Sequence, residues 1–217
     1  MIHFSKLNRI QENIARQVTI SPVKEIKLIA GGDVAYARKS PMAVGAAFVL
    51  TFPEMEVVDK KTVIRKIVFP YITNYFAFRE LPVVKDVLNE LEQDFDLLFC
   101  EGHGLAHPRY CGLATHLGVL LQKPTIGVAK NRLLGKGPLP SLHRGNYTFL
   151  KDEKGIVGAS LCTQNNIKPV FVSVGNLITL QQAIQFTLNT AIRYRLPEPI
   201  RQAHLLSRRI LKETMDE

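Results

Sequence analysis

A chain of 217 residues, 46% of them hydrophobic, fits one domain with a sizeable core, taken here as 1–217. No stretch approaches the roughly 20 consecutive apolar residues that cross a bilayer, and Met1-Ile2-His3-Phe4-Ser5-Lys6 leads into charge instead of a signal-peptide core. A membrane protein is excluded on this reading and a soluble, cytoplasmic one is expected. The net charge of +9 is concentrated late, with 14 Lys+Arg against 13 Asp+Glu up to Gln122 and 14 against 6 from Lys123 onward, a field suited to a polyanion.

Along the chain, Leu7, Ile10 and Ile14 recur at helical spacing and predict an amphipathic helix from Phe4 to about Val18, ended by Ser21-Pro22. Lys24 to Gly31 reads as a strand running into Gly31-Gly32-Asp33. Met42–Phe52 and Met55–Val68 follow as two more, joined by Pro53-Glu54 as an antiparallel hairpin. Phe69 to Asn74 is a loop. Phe78 to about Gln93 is a helix with Val84, Val87, Leu88 and Leu91 on one face and Pro82 in its first turn.

Leu97-Leu98-Phe99-Cys100 is a short strand buried on both faces, with Glu101 at its carboxyl end. A helix over Tyr110–Leu121 and a strand over Pro124–Lys130 make the order strand, helix, strand, helix, strand, which implies parallel pairing through right-handed crossovers. A loop from Asn131 to Pro140 precedes a hairpin around Lys154-Gly155 and a last strand at Val170–Val174. Helices from about Thr179 to Arg193 and from Glu198 to Lys212, divided by Pro197 and Pro199, close the chain. The expected fold is α/β, a mixed sheet opening on an antiparallel meander. Cys100, Cys111 and Cys162 include no C-x-x-C pair and are expected as reduced, buried thiols.

Asp33, Glu80 and Glu101 stand at strand ends or in a first helical turn, where acids distant in sequence can converge. Oxygen ligands without nearby cysteines favour Mg²⁺ or Mn²⁺ over zinc, and such a cluster supports attack of water on a phosphodiester. The competing reading makes each acid a helix cap or a lysine partner, and for Glu80 alone that reading prevails. His103 and His107, four apart, have zinc-ligand spacing, but Gly104 and Pro108 place them in a loop, so zinc is declined.

Gly32-Asp33-Val34-Ala35-Tyr36, Pro70-Tyr71-Ile72, Phe78-Arg79-Glu80, Glu101-Gly102-His103-Gly104 continuing to Ala106-His107-Pro108-Arg109, Gly127-Val128-Ala129-Lys130 and Arg195-Leu196-Pro197-Glu198-Pro199 occur in this order. The series resembles the endonuclease V family from about Leu28 to about His204. The resemblance implies a ribonuclease H-like fold with helices on both faces. It also implies a Mg²⁺-dependent (alternatively Mn²⁺-dependent) endonuclease that cuts DNA or RNA at the second phosphodiester 3′ to inosine, in repair of deaminated adenine. Asp33 and Glu101 would be metal ligands and Glu80 would complete the acidic cluster. Tyr71 would fill the gap left by an extruded base. His107 would lie near the metal-bound water or the scissile phosphate, and Lys130 would contact that phosphate. Gly102 and Gly104 would pack their amides against the base, and Arg79 would contact DNA or, preferably, pair with Glu80. A monomer is expected.

Three positions depart from the family pattern: Glu101 where aspartate is usual, Thr73 where proline follows Pro-Tyr-Ile, and Asn176 where the family has histidine. Asn176 can donate a hydrogen bond to substrate but cannot shuttle a proton. These changes keep open a relative that binds inosine without cutting. An unrelated ribonuclease H-like nuclease indifferent to inosine is the third reading.

Overall fold

The structure, a computed structural model, describes residues 2–215. In chain order its elements are α1 (Phe4–Ala15), β1 (Leu28–Tyr36), β2 (Met42–Thr51), β3 (Val57–Lys66), α2 (Phe76–Asn89), β4 (Leu97–Glu101) and α3 (Leu113–Leu121). β5 (Thr125–Ala129), β6 (Tyr147–Asp152), β7 (Gly155–Leu161), β8 (Val170–Asn176), α4 (Leu180–Thr190) and α5 (Glu198–Met215) follow. The strands form one sheet in the order β3-β2-β1-β4-β5-β8-β7-β6. β1 to β3 make the expected antiparallel meander, and β1, β4 and β5 run parallel. β8 then returns antiparallel to β5, and β7 and β6 continue that sense, so the parallel centre is flanked by antiparallel pairs on both sides.

Two-residue alternation explains how the sheet is covered on both faces. Ile29, Leu97, Phe99, Ile126 and Val172 point to one side, where Ala183 and Ile184 of α4 and Ile200 and Ala203 of α5 close over them. Ala30, Leu98 and Cys100 point to the other side, against Val83, Val84 and Val87 of α2 and Leu113 and Leu117 of α3. α5 lies close on β1 because Gly31 has no side chain, and a Cβ there would stand 2.4 Å from the Pro199 carbonyl carbon.

Two boundaries differ from the expectation for a physical reason. β1 runs on through Asp33 to Tyr36, because β2 pairs with it along its whole length; its pairing with β4 stops at Gly32. α2 starts at Phe76, so Pro82 lies in its second turn, beyond the position where a missing N–H is free of cost.

His116 on α3 is buried against the edge of Phe78, with ring centroids 5.5 Å apart, and its Nδ1 has no partner. Burial disfavours the imidazolium and pushes its pKa down from 6.5 to about 4. Between those values the unfolded chain binds more protons than the folded one, so this group lowers stability as pH falls. Compared with His116→Leu in urea melts, the native chain is expected to lose about 2 kcal/mol more on going from about pH 7 to about pH 5.

Candidate active site

The register of the parallel pair builds the site. Gly32 lies opposite Cys100, so the next residues, Asp33 and Glu101, fall side by side on adjoining strands and on the face covered by α5. From that helix His204 brings Nδ1 to 3.2 Å from Asp33 Oδ2, and Ser207 donates to the same oxygen at 2.9 Å. Ligand atoms of Asp33, Glu101 and His204 all lie within 4.8 Å of one another. Glu101 pairs through Oε1 with Lys130 Nζ at the end of β5, whereas its Oε2 is buried without a partner. A buried carboxylate oxygen left unpaired is costly. Together with a second carboxylate and an imidazole at the same point, it fits a divalent cation of the Mg²⁺/Mn²⁺ class.

His204 escaped the sequence reading. The signal was there: Ile200, Ala203, Ser207 and Leu211 form the buried stripe of α5, and a histidine beside a serine on such a stripe needs a polar partner.

Glu80 enters from α2 and is buried, accepting a hydrogen bond from Tyr36 Oη at 3.0 Å. Burial first, and then the charge of Asp33, hold its carboxyl well above the usual range. Glu101 adds to the rise, while the Tyr36 hydrogen bond and Arg79 oppose it. Burial and Glu80 likewise raise the Tyr36 phenol. Arg79 does not form the preferred ion pair with Glu80. Its guanidinium stacks 4.3 Å from the centre of the Tyr36 ring and donates to the Phe69 carbonyl at 2.8 Å.

These groups line a cavity of about 690 Å³. Tyr71 stands on its rim, 68% exposed, in an edge-to-face arrangement with Phe76 at 6.0 Å between ring centres. Two more buried polar atoms without partners, Asn74 Oδ1 and His103 Nδ1, belong to residues of the cavity wall.

Four of the expected residues have their polar groups engaged within the fold. His107 lines the cavity, but its Nε2 is 3.0 Å from the Asn74 carbonyl and its Nδ1 accepts the Arg109 N–H at 3.1 Å. With burial pushing its pKa down to about 4, it is a neutral clamp with no free nitrogen to offer a phosphate. The amides of Gly102 and Gly104 donate within the fold, to Val128 O at 3.1 Å and Ser173 Oγ at 2.8 Å. Gly104 is required by packing, since a Cβ there would lie 2.0 Å from Val174 O. Asn176 is buried away from the cavity, donating to Gly118 O and accepting from Thr19 N, each at 3.0 Å. Its amide is consumed in joining β8, α3 and the segment after α1.

A mixed sheet of this order, with two carboxylates side by side on adjoining parallel strands, defines the chain as a ribonuclease H-like nuclease. It belongs to the endonuclease V family, whose profile, described as Endonuclease V, matches residues 9–205. The Endonuclease V of Roseiflexus castenholzii is 47% identical over 200 residues, 91% of this chain and 89% of that one. The crystal structure of the Bacillus subtilis enzyme is 31% identical with a TM-score of 0.94, covering 100% of this chain and 95% of the other. Ciona intestinalis Endonuclease V, solved with a 24mer DNA containing an inosine followed by a ribo-adenosine, is 28% identical with a TM-score of 0.86, over 97% and 98% of the two chains. The chain is therefore an endonuclease of a metal-dependent family. Among the described residues no helix is long and apolar enough to cross a membrane.

Proposed function

We propose that this chain, acting as one domain over 1–217 and as a monomer in the cytoplasm, hydrolyses inosine-containing DNA or RNA at the second phosphodiester 3′ to the inosine, in repair of deaminated adenine. Asp33, Glu101 and His204 would hold Mg²⁺, or alternatively Mn²⁺, which when bound polarises the phosphodiester and makes water a competent nucleophile near neutral pH. The observation that carries the reading is their convergence beneath a cavity with an exposed tyrosine on its rim. The DNA held by the Ciona relative supports the substrate class.

The protein's own groups have separate tasks. Ser207 orients the Asp33 carboxylate, and Glu80, buried beside it and hydrogen-bonded by Tyr36, completes the acidic wall of the site. Tyr71 would occupy the space vacated by the extruded base, because a flat ring stacks on unstacked neighbours. Arg79 closes one end of its loop through the Phe69 carbonyl. Lys130, retained at the site by Glu101, would meet a phosphate oxygen as a point charge.

The test is nicking of an end-labelled strand with one inosine, in Mg²⁺ and then in Mn²⁺, with the cut mapped to the nucleotide. A product ending one nucleotide 3′ of the inosine is expected, with no product from the adenine control. Salt-dependent binding that prefers inosine but yields no product in either ion would make the chain a catalytically silent relative. Lys130→Ala should weaken binding at all sequences alike and reduce the slope of log affinity against log salt by about one.

A further inference from the structure

α1 lies outside the sheet and takes no part in the metal cluster, yet it carries a fully buried glutamine. Gln11 Nε2 donates to the Asn74 carbonyl at 3.0 Å and to the Cys111 carbonyl at 3.2 Å, while its Oε1 accepts Arg109 Nε at 2.6 Å. Both N–H groups of that amide and its oxygen are engaged, a pairing of two donors with an acceptor that an apolar side chain of similar size cannot offer. Leucine or methionine would strand the partners, and a carboxylate would face two carbonyl oxygens.

The two carbonyls belong to the two loops that flank the cavity. Asn74 ends the loop bearing Tyr71, and Cys111 ends the loop that follows Glu101. The Asn74 carbonyl also meets His107 Nε2 at 3.0 Å and Arg109 Nη2 at 3.2 Å, so three donors converge on one oxygen. Asn74 itself sits in the left-handed region, with φ at 69°, which a loop must be held to maintain. Next to it, Tyr75 donates to Asn8 Oδ1 at 2.6 Å, rests 5.2 Å from the Phe4 ring and carries Arg109 over its face at 4.6 Å. α1 therefore reaches the loop through Phe4, Asn8 and Gln11, one per helical turn.

We propose that Gln11 is a positioning residue for catalysis. By tying the Tyr71 loop to the loop after Glu101, it fixes the distance between the tyrosine that replaces an extruded base and the carboxylates that face the scissile phosphate. The proposal rests on the reading of Tyr71 as that replacement. It assigns α1 a task in substrate engagement, and it locates the demand in duplexes, where a base must be drawn from a stack before cutting.

The experiment compares duplex and single-stranded inosine substrates for the native protein, Gln11→Met, Tyr75→Phe and Tyr71→Ala. 2-Aminopurine beside the inosine reports unstacking by fluorescence. Gln11→Met is expected to lower kcat/KM on the duplex about tenfold, through KM and with a smaller fluorescence rise, while single-strand cutting stays within about twofold. Tyr75→Phe, which removes only the tie to Asn8, should move the same ratio by about threefold and serves if Gln11→Met does not fold. Equal losses on both substrates, or no loss on either, would overturn the proposal. If Tyr71→Ala leaves duplex cutting unchanged, the reading of Tyr71 fails instead, a result distinct from a null at Gln11 alone.

Discussion

Asp33→Asn is expected to abolish cleavage, lowering the single-turnover rate by about 10³-fold or more, an effect on the order of 4 kcal/mol in the barrier. The substitution keeps shape and keeps an acceptor for Ser207, so the site remains built while its charge is lost. Three carboxylates, Asp33, Glu80 and Glu101, crowd this point, and Asp33 and Glu101 both raise the Glu80 carboxyl. Removing one charge relieves that crowding, so the variant should melt no lower than the native protein without added metal. In millimolar Mg²⁺ the native protein should gain melting temperature through binding to the folded state, and the variant should gain none. A variant that cuts near the native rate would dismiss Asp33 as a ligand.

Gly104→Ala should cost about 3 kcal/mol or more of stability. The added Cβ would lie 2.0 Å from the Val174 carbonyl oxygen and 2.5 Å from its carbon. That oxygen is already fixed, accepting the Leu105 amide at 2.8 Å, and the Gly104 amide is fixed on Ser173, so neither backbone has room to retreat. Gly155→Ala offers the contrast: nothing lies within 4 Å of its Cβ position, and only the left-handed φ of 127° opposes the change. Urea melts of the two variants measure the difference. A Gly104→Ala protein of native stability with altered base preference would restore the glycine to a substrate-facing role.

The meander, the parallel centre and the covering helices were legible because alternation and helical spacing report burial directly. The apolar runs at Ile26–Ala30 and Leu97–Cys100 left little choice about where the sheet passed. Asp33 and Glu101 could be placed at the edge from sequence, but their adjacency needed the register of β1 on β4, which no local pattern encodes. His204 could be suspected from its place beside Ser207 on the buried stripe of α5, but its partner, Asp33, lies far away in sequence and follows only from how α5 packs on β1. The hydrogen-bond partners of His107, Gly104 and Asn176 were out of reach of the sequence for one common reason. A motif names residues that matter without saying where their hydrogen bonds go, and here those bonds end on Asn74, Ser173, Gly118 and Thr19.

His204 and Asp33 meet across 171 positions of chain. The imidazole joins the two carboxylates only where α5 packs over β1, so loosening that one helix from the sheet would open the cluster while leaving both strands in place.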